Sequence, residues 1–164
     1  MSAYPMLTNL SVVSPDLEAL RALNNEYVQE LSPAEPDHFR WLVENAFFAA
    51  SINRTEAFVI AFDQEAKYKS PHFLWFKKHF PRFVYVDRLA TAPRAQGRGH
   101  AIALYDSLFS TAREAGHTLI VCEINEVPPN PVSMGLHGRF GFVKAGEAVL
   151  PEIEKTVGYF VKRL

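Results

Sequence analysis

A strand, a glycine-containing turn and a helix follow one another between residues 83 and 115, and this succession constrains the fold more than any other part of the sequence. The run "FVYVDRLA" favours a strand, "TAPRAQGRG" turns the chain, and "HAIALYDSLFSTAREA" is apolar at helical spacing up to Gly116. The next run, "HTLIVCEI", is an apolar strand, as expected beside a crossover helix in a parallel pair. The pattern predicts an α/β fold whose helix N-terminus offers free N–H groups to a phosphate.

The remaining segments predict an alternation of helices and strands. Helical patterns are present in "SPDLEALRALNNEYVQEL", where Ser14 and Pro15 mark the start, in "DHFRWLVENA" after Pro36, and in "VSMGLHGRF". Strand patterns are present in "TNLSVVS", "FFAASINR", "EAFVIAFD", "GFVKAGEAV" and "TVGYFVKRL". Asn53 and Arg54 fall between two of these strands, which predicts a hairpin turn there.

Residues 64–82, "QEAKYKSPHFLWFKKHFPR", form a connection that fits none of these patterns. It is too apolar for a flexible linker and too long for a hairpin loop. Its aromatic residues therefore predict that it packs against the rest of the chain.

Composition narrows the functional class. A chain of 164 residues, 48% of them hydrophobic, is predicted to form one domain over residues 1–164. The net charge of −1 argues against a nucleic-acid partner, and the absence of a long apolar run argues against a membrane span. Cys122 has no partner for a disulfide within the chain, and we expect a buried thiol. The N-terminus lacks the pattern of a signal peptide, so the cytoplasm is the expected location.

Two motifs resemble the GNAT superfamily of acetyl-CoA-dependent N-acetyltransferases. "QGRGHA", residues 96–101, has the spacing of that family's pyrophosphate loop, and "LATAP" before it is similar to the end of the family's central strand. "NPVSMGLHGRFGF", residues 130–142, is similar to the family's Asn-x-x-Ala motif and the Phe-Tyr-x-x-x-Gly-Phe pattern that follows it. The resemblance implies a mixed, mostly antiparallel sheet that splays between its central strands around acetyl-CoA, with helices on both sides.

Other nucleotide-binding motifs fit the loop less well. "GRGHAI" begins like a dinucleotide-binding fingerprint, but Ile102 stands where the third glycine belongs, and "TAPRAQ" separates the first glycine from the strand. A P-loop is excluded, because no lysine follows the glycines. An ordinary strand-to-helix turn explains one glycine but not the set.

The resemblance assigns residues to acetyl-CoA. Gly99 allows close approach of the backbone to the pyrophosphate, and Arg94 and Arg98 are candidates for contacts to phosphate groups. Asn130 caps the last helix and is also a candidate contact of the pantetheine arm, with Ser133 one turn later. The predicted donor-binding residues are Leu89, Ala90, Thr91, Arg94, Gln96, Gly97, Arg98, Gly99, His100, Ala101, Asn130 and Ser133.

The resemblance also implies catalytic roles, because amine acetylation needs a base for the ammonium, a donor for the oxyanion and an acid for the thiolate. His137 stands where the family commonly has a tyrosine acid, and it is the predicted acid or base. Glu123 and Asp87 lie at strand positions where the family often has an acid that takes the amine proton. Each of these residues also has a purely structural alternative, either packing or an ion pair with Arg88 or Arg139.

On the acceptor side the predicted residues are Tyr27, Trp75 and Phe76. Tyr27 lies near the end of the first helix, beside Glu26 and Glu30, where the family builds its acceptor site. The connection 64–82 is predicted to cover the acceptor side of the cleft, where Phe73, Trp75 and Phe76 would form an apolar wall that favours a carboxylate-bearing or aromatic amine near His72 or Lys77. A structural flap or a dimer contact is the alternative for this connection.

We therefore predict an N-acetyltransferase that moves acetyl from acetyl-CoA to a primary amine of a small molecule or peptide, by direct attack in a ternary complex and without a metal. The alternative is a non-catalytic acyl-CoA-binding or regulatory domain, and a structural interaction module is a third reading. A homodimer is included among the expected partners.

Overall fold

The structure, a computed structural model, describes residues 4–164. The helices in this range are α1 (Leu17–Glu26), α2 (Pro36–Glu44), α3 (Pro71–His79), α4 (His100–Glu114) and α5 (Pro131–Arg139). The strands are β1 (Leu7–Asn9), β2 (Phe48–Ile52), β3 (Ala57–Asp63), β4 (Val84–Thr91), β5 (Leu119–Val127), β6 (Val143–Leu150) and β7 (Lys155–Arg163).

The strands form one sheet in the order β1-β2-β3-β4-β5-β7-β6. Neighbouring strands are antiparallel except β4 and β5, which are parallel and joined by α4. This arrangement follows from the connections, since short turns join antiparallel strands and a parallel pair needs a crossover helix. The predicted mixed, mostly antiparallel sheet is confirmed.

The sheet separates at its centre. Within the described residues, β4 and β5 pair at two positions, Val84 with Ile120 and Tyr85 with Val121. Beyond these positions β4 continues to pair with β3, and β5 continues to pair with β7. The two strands therefore leave a wedge-shaped gap between them, and the predicted splay is confirmed.

Each face of the sheet is covered by its own hydrophobic core. On one face α1, α2 and α3 pack over residues that include Phe62, Tyr85 and Tyr159. On the other face α4 packs over residues that include Val84 and Ile120. We call these the α1–α3 face and the α4 face. Successive side chains of a strand point to opposite faces, so the apolar runs of the inner strands β2 and β3 are explained by burial on both sides.

Local details agree with several predictions and correct others. Asn53 and Arg54 have φ of 46° and 68°, which confirms the hairpin turn, and Cys122 is buried as predicted. The sequence pattern predicts a first helix that reaches Leu31, but α1 ends at Glu26 because the chain turns there toward α2. The connection 64–82 contains α3, which the sequence patterns did not predict.

Candidate active site

The register of β3 and β4 decides which backbone groups face the gap. The Ala92 N–H donates to the Glu56 carbonyl at 2.7 Å, so these two residues form a hydrogen-bonded pair. Along an antiparallel ladder, hydrogen-bonded pairs alternate with pairs that are not hydrogen-bonded, so Ala90 also bonds to β3. The backbone groups of Leu89 and Thr91, at the positions between, point away from β3. The Thr91 carbonyl accepts from the Tyr27 hydroxyl at 2.7 Å, in agreement with this alternation. Leu89 and the Thr91 N–H are thus left to pair with a ligand in the gap.

A β-bulge changes the direction of the side chains in the middle of β4. Ile60 lies opposite Arg88 and Ala61 lies opposite Val86, so Asp87 is the extra residue. The bulge brings the neighbouring side chains of Asp87 and Arg88 together as an ion pair, Oδ2 to Nε at 2.7 Å, with each side chain 4% exposed. Arg88 also donates to the Asn24 side chain and the Ser32 carbonyl, so it ties β4 to the α1–α2 connection.

Glu123 lies across the gap from this pair, on β5. Its Oε2 accepts from the hydroxyl of Tyr85 at 2.7 Å, and part of its surface stays exposed. Desolvation, followed by the negative charge of Asp87, raises the pKa of Glu123 to about 8, although the Tyr85 hydrogen bond favours the ionised form. A carboxyl group with this pKa takes up a proton readily near neutral pH.

The connection 64–82 adds two polar side chains to this cluster. The Tyr68 hydroxyl donates to Oδ1 of Asp87 at 3.0 Å. His72, in the first turn of α3, has its Nδ1 2.9 Å from the hydroxyl of Tyr159. Burial lowers the pKa of His72, and so does the charge of Lys155, while Asp87 acts in the opposite direction.

The loop between β4 and α4 has the geometry of an anion site. Gly97 and Gly99 have φ of 79° and 80°, a left-handed conformation that glycine adopts without strain. Among residues 4–164, the N–H groups from Gly99 to Ile102 have no hydrogen-bond acceptor. No atom of the described chain lies within 4 Å of where a Cβ on Gly99 would be. Four unpaired N–H groups at the positive end of a helix therefore border open space, which suits a pyrophosphate.

The β2–β3 hairpin holds this loop in place. Glu56 accepts from Nε2 of His100 at 2.7 Å and pairs with Arg98 at 3.5 Å. Arg94 donates to the Thr55 hydroxyl at 3.0 Å. The predicted donor-binding residues Arg94, Arg98 and His100 thus have side-chain partners within the protein, whereas Ala101 offers its backbone N–H. Gln96 donates to the Tyr27 hydroxyl at 3.1 Å, which connects the loop to the end of α1.

The N-terminus of α5 has the predicted cap, and His137 is fully engaged. The Asn130 side chain accepts from the Ser133 N–H at 3.2 Å. Nδ1–H of His137 donates to the Ser133 carbonyl at 2.7 Å, so its Nε2 accepts from the Tyr105 hydroxyl. The side chain is buried, and burial lowers the pKa of His137. A role as acid requires the ring to leave one of these partners, and that role stays a prediction.

The predicted acceptor residues occupy different environments. Tyr27 is half-buried between Thr91 and Gln96, beside the gap. Trp75 is half-buried, stacks on Tyr159 with ring centroids 4.4 Å apart, and lies against Gly146 of β6. Phe76 is 0% exposed and belongs to the core. Phe76 therefore has no surface for an acceptor in this conformation.

Sequence patterns missed four residues that shape this site, Glu56, Tyr68, Tyr85 and Tyr105, and indicated His72 only as a neighbour of the acceptor. Tyr85 has only the signal of a strand residue, and its hydroxyl contact depends on the neighbouring strand. The pairing of Glu56 with His100 is likewise invisible, because 44 residues separate them. The bulge at Asp87 leaves no mark in the hydrophobic pattern.

The geometry can be compared with known proteins. Residues 17–142 match the sequence model of the acetyltransferase (GNAT) family. The chain belongs to the GNAT acetyltransferase family. The match includes the gap, the glycine loop and the whole of α5, so the family prediction is confirmed. No curated protein has a significant sequence match to the chain.

Solved structures of GNAT enzymes have the same fold as this GNAT chain. Arabidopsis thaliana NAA60 in complex with acetyl-CoA matches with a TM-score of 0.75 and 15% identity, over 98% of this chain and 100% of that one. The ribosomal-protein-S18-alanine N-acetyltransferase of Escherichia coli matches with a TM-score of 0.69 and 15% identity, over 98% of this chain and 94% of that one. Ard1 from Thermoplasma volcanium matches with a TM-score of 0.75 and 13% identity, over 99% of each chain.

The described residues offer neither a metal cluster nor a membrane helix. Within residues 4–164 no group of three or more His, Cys, Asp or Glu side chains is arranged to hold a metal ion. In the same range no helix combines the length and apolar character that crossing a membrane requires.

Proposed function

We propose that this GNAT enzyme transfers acetyl from acetyl-CoA to a primary amine of a small molecule or peptide, by direct attack in a ternary complex. The observation that carries the proposal is the position of Glu123, a carboxyl group with a pKa of about 8 beside the gap between β4 and β5. A base is needed at this place, because the acceptor arrives as an ammonium ion with a pKa of about 10.4.

Acetyl-CoA is the acyl donor, and the residues present fit it. The unpaired N–H groups from Gly99 to Ile102 suit the pyrophosphate, and the open space at Gly99 admits it. Leu89 and Thr91 suit the amides of pantetheine, which would lie in the gap like an added strand. Arg94 and Arg98 contribute positive charge at the rim of the loop, and Asn130 and Ser133 are proposed contacts at the far side of the gap.

The reaction begins when Glu123 takes a proton from the ammonium ion, directly or through a water molecule. The free amine attacks the thioester carbonyl carbon, and the carbonyl oxygen becomes an oxyanion. A backbone N–H on the gap side of β4, at Leu89 or Thr91, is in the right orientation to stabilise that charge. Desolvation raises the pKa of Glu123, and the nearby Asp87, which is held by Arg88 and Tyr68, raises it further, so Glu123 is a stronger base than an ordinary carboxylate.

The C–S bond then breaks, the nitrogen loses its second proton to solvent as the amide forms, and the thiolate of coenzyme A takes up a proton. The predicted acid is His137, which would have to release Tyr105, take up a proton at Nε2 and give that proton to the thiolate. The corresponding thiol has a pKa of about 8.5, so the thiolate can also leave and be protonated by water. His137 is therefore the weaker of the two main catalytic assignments.

The acceptor enters on the α1–α3 face, between the α1–α2 connection and α3. Tyr27 borders this entrance, and Trp75 is a proposed contact at its far side. NAA60, the S18-alanine N-acetyltransferase and agmatine N-acetyltransferase share the fold at 15 to 17% identity, which leaves both peptide and small amines as acceptor classes.

We also propose that residues 1–164 act as one domain in the cytoplasm, as a homodimer, without nucleic acid or membrane partners.

Replacing Glu123 by glutamine tests the proposal, with Glu126→Gln on the same strand as the control. Wild-type turnover of acetyl-CoA is first measured against a panel of amino acids, polyamines and peptides, by release of the thiol. We expect Glu123→Gln to lower kcat by roughly 10² to 10⁴ while calorimetry shows unchanged affinity for coenzyme A.

We also expect wild-type kcat/KM to rise with pH through about 8, because the carboxyl must lose its proton to act as a base. Wild-type turnover in Glu123→Gln refutes the base. Tight coenzyme A binding without turnover of any amine favours a non-catalytic acyl-CoA-binding domain instead.

A further inference from the structure

The connection 64–82 places His72 near Glu123, the proposed base, with Tyr159 between them. His72 is half-buried, and its Nδ1 is 2.9 Å from the hydroxyl of Tyr159, which is 2% exposed. Tyr159 lies directly opposite Glu123 in the antiparallel pairing of β5 and β7. Side chains at such paired positions are on the same face, with Cβ atoms about 4.5–5.5 Å apart. The sheet therefore sets Glu123, Tyr159 and His72 in a row.

The proton that Glu123 takes from the amine must leave before the next turnover. Glu123 has some exposed surface in the free protein. In a ternary complex, however, donor and acceptor fill the gap beside it. Tyr85 does not provide an exit, because it is 0% exposed. Tyr159 and His72 are the polar groups that continue from Glu123 toward the exposed side of α3.

We propose that Tyr159 and His72 form a proton exit for Glu123, and that His72 is a positioning and relay residue of the transferase reaction. This inference rests on the proposed role of Glu123. The Tyr159 hydroxyl, with a water molecule between it and the carboxyl, receives the Glu123 proton and passes its own proton to Nδ1 of His72. The imidazolium then gives its Nε2 proton to solvent. One proton enters from the amine and one leaves to water, and both side chains are neutral again. The ring of His72 then returns to its starting tautomer by exchanging protons with solvent, so that Nδ1 can accept in the next turnover.

The charges around His72 suit a transient proton carrier. Lys155 at the start of β7 repels an imidazolium, whereas Asp87 of β4 attracts it, and Glu123 on β5 is the third titratable group on this side. On α3, Trp75 stacks on Tyr159 and Phe76 packs edge-on against it, while His79 stacks on Trp75. Burial lowers the pKa of His72, so a proton that arrives there is released quickly.

His72→Asn is the decisive variant, because the asparagine oxygen takes the place of Nδ1 and still accepts from Tyr159 but cannot carry a proton. We expect kcat to fall about 10- to 100-fold, with coenzyme A affinity and acceptor KM within twofold of wild type. Tyr159→Phe keeps the stacking on Trp75 and should cause a similar loss. His79→Ala, two turns later on α3, is the control and should retain kcat.

Chemical rescue separates a relay from a structural role. Imidazole should restore at least a fifth of the lost activity to His72→Ala, and it should have no effect on His72→Ala/Tyr159→Phe. Full activity in His72→Asn overturns the relay, and so does failure of imidazole to restore folded His72→Ala. If wild type turns over amines but these variants match it, only this inference fails. If wild type turns over none, the proposed function fails and the relay fails with it.

Discussion

Single residues in this protein owe their chemistry to neighbours that are distant in sequence. Desolvation raises the pKa of Glu123, and so does the charge of Asp87, which is 36 residues earlier in the chain and is held in place by Arg88 and Tyr68. The sequence resemblance identified Glu123 and Asp87 as candidates. It did not separate them, because the burial of Glu123 and the bulge that brings Asp87 against Arg88 depend on the folded sheet.

At Gly99 we expect Gly99→Val to lower acetyl-CoA affinity at least 100-fold while the fold survives. The valine would extend into the open space meant for the pyrophosphate, and a side chain at φ of 80° is strained by about 1–2 kcal/mol. Calorimetry measures the affinity, and circular dichroism checks the fold. The control is Gly138→Ala in α5, where no described atom lies near the added methyl. Unchanged affinity in folded Gly99→Val would mean that the pyrophosphate binds elsewhere.

For His137 we expect a larger effect on stability than on turnover. His137→Phe leaves the buried Tyr105 hydroxyl without an acceptor, which costs about 1–3 kcal/mol of unfolding free energy. Urea denaturation of His137→Phe, Tyr105→Phe and the double variant should give a clear coupling energy, because the double variant removes both partners. If turnover instead falls by about 100-fold or more while stability is unchanged, His137 is established as the acid.

At the scale of elements, the sequence predicted most of the fold and missed α3. The strand, loop and helix from β4 to α4 were predictable because periodicity, glycines and cap residues agree there. In α3 the aromatic residues Phe73, Trp75 and Phe76 do not form a single stripe, since Trp75 covers β6 while the two phenylalanines enter the core. The spacing of these aromatic residues is set by contacts with both β6 and the core, so helical periodicity alone did not predict α3.

The contact of α3 with β6 leads to a prediction about Gly146. A Cβ at this position would lie 2.5 Å from Cζ2 of Trp75, and stacking on both Tyr159 and His79 restricts movement of the ring. Gly146→Ala should therefore destabilise the protein by about 1–3 kcal/mol. Gly135→Ala in α5, which has no described atom near the added methyl, is the control.

The Trp75→Ala background checks the cause. There Gly146→Ala should cost much less, because the clashing ring is gone, and denaturant melts of the four proteins measure this coupling. An equal cost in both backgrounds would attribute the effect to the β6 backbone alone. If Trp75→Ala raises the acceptor KM without loss of stability, Trp75 contacts the acceptor as the sequence suggested.

At the scale of the whole molecule, Glu123 makes stability depend on pH. Its pKa is about 8 in the folded protein, against 4.5 as its ordinary value, so between these limits the folded state holds a proton that the unfolded state has released. Stability from this group is therefore present at low pH and is lost as pH rises through the window. The loss is at most about 1.4 kcal/mol for each pK unit, less where solvent reaches the carboxyl.

Glu123→Gln should remove this loss. We expect the Tm of the variant minus the Tm of wild type to become more positive between pH 5 and pH 9. Glu126→Gln should give a nearly constant difference over the same range. A constant difference for Glu123→Gln as well would mean that the carboxyl ionises at its ordinary pKa.

Because β4 and β5 pair at so few positions, a bound donor would contribute to the stability of the folded sheet. Within residues 4–164, two paired positions connect a four-stranded half of the sheet to a three-stranded half, and past them the facing edges of both halves have no partner strand. A donor that pairs with these edges would act as a removable strand. At a concentration 100 times its Kd it would add about 2.7 kcal/mol to stability. The supply of acetyl-CoA would then set how long the enzyme lasts as well as how fast it works.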